Sequence, residues 1–95
     1  MATATFQAKL QQLIQAHDPN GYVWAVRRPN QWHVVYASQD DQHNGGVYMF
    51  NIAVHGKLLA SEIVYDTYSG VHCTAADMWD LLVDSGVVAY LVSNN

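Results

Sequence analysis

The sequence predicts an α+β fold, a five-stranded antiparallel sheet with two helices packed on one face, and three observations carry that reading. Residues 47–68 hold two strand-length runs, rich in β-branched and aromatic residues, on either side of His55-Gly56. Residues 22–28 and 32–38 repeat this composition around Pro29-Asn30. Apolar residues recur at helical spacing before the first of these runs and after the last. The element order is α-β-β-β-β-α-β. Ninety-five residues without repeat or linker make one domain, 1–95.

Each element has its own justification. In the first helix, Phe6, Leu10, Leu13, Ile14 and His17 form the apolar stripe, with Thr3 and Thr5 as N-cap candidates. Gln7, Lys9, Gln11, Gln12 and Gln15 face away and read as a solvated surface. Asp18-Pro19-Asn20-Gly21 ends the helix. Strands one and two put Tyr22, Trp24 and Val26 with His33 and Val35 on one face. Val23, Ala25 and Arg27 fall with Trp32, Val34 and Tyr36 on the other, where Arg27 can stand over Trp32 as a cation–π pair. Pro29 excludes a type I′ turn, which predicts a longer loop or a bulge there. Residues 39–46 are wholly polar and read as an exposed loop made mobile by its glycines.

A two-residue type I′ turn at His55-Gly56 would pair Val54 with Lys57. Tyr48, Phe50, Ile52 and Val54 then share the core face with Leu59, Ile63 and Tyr65, and a one-residue slip would reverse these assignments. Thr74 is a capping candidate for the second helix, whose buried stripe is Ala75, Met78, Trp79 and Leu82 and whose C-terminus is closed by Gly86. Residues 87–92 are an uninterrupted apolar run that reads as a fifth strand, placed beside the first in the order 5-1-2-3-4. Ser93, Asn94 and Asn95 are expected to fray.

Composition restricts the chemistry. The chain is 51% hydrophobic and 13% charged, a packed composition with little charge to oppose association, so a homodimer or a partner is expected. The net charge is −4, and four basic residues are too few to neutralise a nucleic-acid backbone. A single cysteine excludes an intrachain disulfide, and no apolar run reaches membrane-spanning length, which points to a soluble cytoplasmic protein with no membrane contact.

No catalytic, cofactor or metal motif stands out. Cys73 sits beside His72 just before the second helix, where a helix dipole lowers a thiol pKa; a small buried cysteine is the simpler reading. Asp40, Asp41, His43, His55 and His72 lack metal-ligand spacing and read as polar turn residues. Glu62 and Asp66 are too far apart along a strand to act as a carboxylate dyad. Asp77, Asp80 and Asp84 stand at i, i+3 and i+7 with no basic residue in the helix to offset them. With Asp40 and Asp41 they form an acidic surface suited to a basic protein partner. Eleven aromatic residues exceed what a small core absorbs, and Trp32, Tyr65 and Tyr68 are candidates for the outside.

In size, acidity and absence of a catalytic motif, the chain is similar to the small α+β inhibitors that phages and mobile elements make against host nucleases and defence complexes, including anti-CRISPR proteins. That resemblance implies a non-catalytic protein-binding module acting by surface complementarity. A small-molecule or metal-sensing domain, and a Cys73-dependent enzyme, are the alternatives.

Overall fold

A computed structural model describes residues 2–39, 44–66 and 75–95, with side chains from Thr5 onward. Seven elements follow in order: α1 (Ala2–Gln15), β1 (Tyr22–Arg28), β2 (Gln31–Gln39), β3 (Gly45–Ala53), β4 (Leu58–Asp66), α2 (Ala75–Asp84) and α3 (Val87–Ser93). The strands make an antiparallel meander in the order β1-β2-β3-β4, with one face buried under the helices. The fold class is the α+β one expected, but among the described residues the sheet has four strands, not five, and there are three helices, not two.

The expected fifth strand is α3. An unbroken apolar run satisfies helix and strand equally until its burial is known. Here Val87, Val88 and Leu91 are buried while Ala89 is exposed, a stripe of helical period. Gly86, at φ 88°, closes α2 as expected and also opens α3, whose first turn is tied by the Tyr90 N–H to the Gly86 carbonyl at 3.0 Å. The Ser85 hydroxyl accepts from the Val87 N–H and donates to the Leu82 carbonyl.

A fifth strand would also have found the β1 edge taken. Gln11 donates its amide to the Gly21 carbonyl at 2.7 Å and accepts from the Val23 N–H at 3.3 Å. Gln7 donates to the Ala25 carbonyl at 2.8 Å. Two glutamines of α1 therefore stand where a neighbouring strand's backbone would, and they are not the solvated residues their polarity suggests. Lys9, Gln12 and Gln15 are exposed as expected. The stripe of α1 buries Leu10 and Ile14, while His17 is exposed. α1 begins at Ala2, so neither Thr3 nor Thr5 occupies a cap position.

The core joins Leu10 and Ile14 to Val23, Val34, Tyr36, Tyr48, Phe50 and Ile52 of the sheet and to Met78, Leu82, Val87 and Leu91 of the other helices. The stripe predicted for α2 holds, with Met78 and Leu82 buried and Ala75 and Trp79 half-buried. Buried Tyr36 donates its hydroxyl to Asp18 Oδ2 at 2.5 Å. The last residues, expected to fray, are hydrogen-bonded back to the fold. Asn95 accepts the Trp32 indole N–H at 2.8 Å and donates to the carbonyls of Val54 and Val92.

The turns correct the register. Pro29-Asn30 is a tight two-residue connection, because Arg28 pairs directly with Gln31. Asn30 has φ 61°, and proline followed by a left-handed residue is the requirement of a type II turn. The second hairpin is not type I′. The Gly56 N–H bonds the Ala53 carbonyl, the Ala53 N–H bonds the Lys57 carbonyl, and Gly56 takes φ 104°. That is a three-residue loop closed by a left-handed glycine. Two register shifts in β4 follow, between Asn51 and Ile52 and between Val47 and Tyr48 on β3, leaving Leu59 and Val64 as the extra residues. The predicted pairing holds only between them, from Tyr48↔Ile63 to Asn51↔Ala60. Residues 40–43 of the polar loop lie outside the described residues. Gly45 and Gly46, expected to be mobile, are buried members of β3. A Cβ on Gly46 would collide with the Tyr48 hydroxyl.

We expect Gln11→Ala to lower stability by about 1–3 kcal/mol in urea denaturation, because two backbone groups of the β1 edge lose their partner. Leu91→Ala should cost about 2–5 kcal/mol if the run is the helix described, its side chain being fully buried.

Candidate functional site

Among the described residues, the three helices share one face of the sheet and no element covers the other. The strand registers arrange that face in cross-strand rows. Tyr22, Ala37, Val47 and Tyr65 form the first; Trp24, Val35, Met49 and Glu62 the second. Val26, His33, Asn51 and Ala60 form the third, and Arg28, Gln31 and Ala53 close the end. Strands ~4.8 Å apart with a rise of ~3.3 Å per residue give a patch of about 14 by 20 Å between outer Cα positions. That is about 300 Å², with the apolar side chains gathered in its first two rows, comparable to the largest patch of an ordinary monomer, which is often functional.

The exposure is concentrated in large side chains. Tyr22 is 49% exposed, Trp24 42%, Val26 39% and Tyr65 58%. Val35, Val47 and Met49 are half-buried beneath them. Tyr22 and Tyr65 flank a trough of about 380 Å³, floored by Ala37 and Val47 and by the side-chain-free Gly45 and Gly46. The polar groups of the face are few. His33 Nδ1–H donates to Asn51 Oδ1 at 2.8 Å, and both border a small hollow of about 90 Å³ together with Glu62.

The candidates named from the sequence separate in space. Tyr65 is outside as expected, yet not on the face its register assigned: it pairs with Val47 on the bare side. Trp32 is not outside. It is 5% exposed, on the helix side of β2, stacked on Phe6 at 5.2 Å with Arg27 5.8 Å above its ring. The cation–π pair is as predicted. Trp32 is buried because its row of β2 faces α1 and α3. Asp77, Asp80 and Asp84 are all exposed on α2, in the helix layer and therefore across the sheet from Tyr65. Asp40, Asp41, Tyr68, His43, His72, Cys73 and Thr74 lie outside the described residues.

Tyr22, Trp24 and Val26 are the site residues that sequence reasoning grouped on one face without marking as a surface. Their signal was the alternation itself: both faces of β1 are apolar, and one sheet layer has helices enough for only one of them. Among the described residues no three His, Cys, Asp or Glu side chains gather as metal ligands, and no helix is long and apolar enough to cross a membrane. No family model matches this chain, and no curated protein and no solved structure matches it significantly.

Trp24 and Trp32 should behave oppositely on truncation. Trp24→Ala should change stability by about 0.5 kcal/mol or less, whereas Trp32→Ala should cost about 3–5 kcal/mol in the same denaturation assay.

Proposed function

We propose that this chain is a non-catalytic protein-binding module acting by surface complementarity through the bare face of its sheet. The observation that carries the reading is the row Tyr22–Ala37–Val47–Tyr65, in which two exposed tyrosines wall a trough floored by small residues. Tyrosine and tryptophan supply large contact area at small entropic cost, and interface energy concentrates where such anchors meet pockets. Trp24 and Val26 extend the apolar area along β1.

With a net charge of −4, the chain favours a partner whose contact surface is apolar at its centre and basic at its margin. The acidic stripe of α2 is the alternative surface for the same class of partner, supported by the joint exposure of Asp77, Asp80 and Asp84. An inhibitor of a host nuclease or defence complex, of the phage-encoded kind, is the subclass that size and acidity suggest.

The two surfaces can be separated by affinity capture from the native host's lysate. The variant Tyr22→Ala/Trp24→Ala/Tyr65→Ala should lose a stoichiometric partner or bind it at least about thirtyfold more weakly while keeping the wild-type circular dichroism. The variant Asp77→Lys/Asp80→Lys/Asp84→Lys, with charges reversed on the opposite side, should keep it. Undiminished capture by the aromatic variant would overturn the sheet-face reading, and loss confined to the aspartate variant would move the surface to α2.

A further inference from the structure

A second concavity lies at the other end of β1, where the helix layer meets the edge of the sheet at Val26. Phe6 of α1, Val26, Arg27 and Trp32 at the β1–β2 end, and Tyr90 and Asn94 at the end of α3 line a cleft of about 540 Å³. This is within the volume range of small-molecule sites, and the walls are aromatic with polar groups at the rim, the usual make-up of such sites. We propose that it binds a small planar aromatic anion, such as an aryl carboxylate. The inference does not rest on the sheet-face reading.

Three features support that ligand class. The first is shape. Phe6 lies nearly parallel to Trp32, at 5.2 Å and 16°, and to Tyr90, at 5.5 Å and 25°. Rings from three separate elements are thus held in similar planes; Trp32 is buried beneath Arg27, so a flat ring meets the accessible parts of half-buried Phe6 and Tyr90 without reorganisation. The second is rigidity. The Trp32 indole N–H is held by Asn95 Oδ1, and the Asn94 amide donates to the Tyr90 carbonyl at 2.7 Å, so the walls are fixed before a ligand arrives.

The third is charge. Arg27 donates through Nη1 to the carbonyls of Arg28 and Gln31, the latter at 3.4 Å, which holds its guanidinium over Trp32. Its Nη2 and Nε have no hydrogen-bond partner among the described residues. An arginine fork with two nitrogens left is matched by a carboxylate. The same guanidinium opposes the other ligand that aromatic walls attract, a quaternary ammonium.

The test is a titration of the ¹⁵N-labelled chain with naphthalene-2-carboxylate, followed by amide and indole N–H shifts. Saturable shifts at Phe6, Trp32 and Tyr90 are expected, with a dissociation constant of about 1 mM or tighter, the affinity that roughly a dozen heavy atoms support. Naphthalene-2-carboxamide should bind at least about tenfold more weakly, as should the carboxylate to Arg27→Gln. The amide comparison uses the wild-type protein and decides the matter even if that variant fails to fold. Equal affinity for carboxylate and amide, tighter binding of tetramethylammonium, shifts centred on Trp24 and Tyr65, or no saturation would each overturn the proposal.

Discussion

Part of the outer backbone along β1 is satisfied by side chains. Gln11 supplies a donor and an acceptor, and Gln7 a donor, where the next strand of a sheet would supply peptide groups. An unpaired strand edge invites another strand, and glutamine amides carry the right pair of groups to end the ladder. Much of the remaining architecture depends on this contact. It fixes α1 alongside β1, so Leu10 and Ile14 reach the core, and it leaves residues 87–92 no edge to join on that side. The same run then buries its apolar groups as a helix over the sheet.

The strands and two of the helices were legible in the sequence because alternation and helical spacing are local signals. Faces were legible too: Tyr22, Trp24 and Val26 do lie with His33 and Val35, and Arg27 does stand over Trp32. What sequence could not give was anything decided by a partner element. Gln7 and Gln11 look like Gln12 and Gln15 until β1 is set beside them. Residues 87–92 look like a strand until the burial of Val87, Val88 and Leu91 shows a helical stripe. Trp32 and Trp24 have the same chemistry, and only the helix layer makes one a core residue and the other a surface residue.

Turn chemistry was the other limit. Excluding a type I′ turn at Pro29-Asn30 was sound, since proline cannot take a positive φ. The step to a longer loop overlooked the type II turn, which asks for proline followed by a left-handed residue, and Asn30 fills that place. At the second hairpin, Gly56 is left-handed and His55 is not, which adds one residue to the loop. The extra residue is absorbed at Leu59, so pairing from Asn51 to Tyr48 returns to the simple register.

The second bulge has the larger consequence for function. In an unbroken ladder Tyr65 would lie opposite Gly46, on the helix side of the sheet. Val64 is inserted, so Tyr65 lies opposite Val47 and faces out, in the row that already holds Tyr22. Bulges re-aim side chains in this way, and they also disturb the regular edge that a neighbouring strand would need. The two irregularities of β4 therefore act together. They discourage strand-to-strand addition along the edge opposite the glutamine-capped one, and they complete the second tyrosine wall of the trough. On the proposed reading, a sheet occupied in part at one edge, irregular at the other and open on one face would bind through that face, and the partner would present an apolar side chain to the space between Tyr22 and Tyr65.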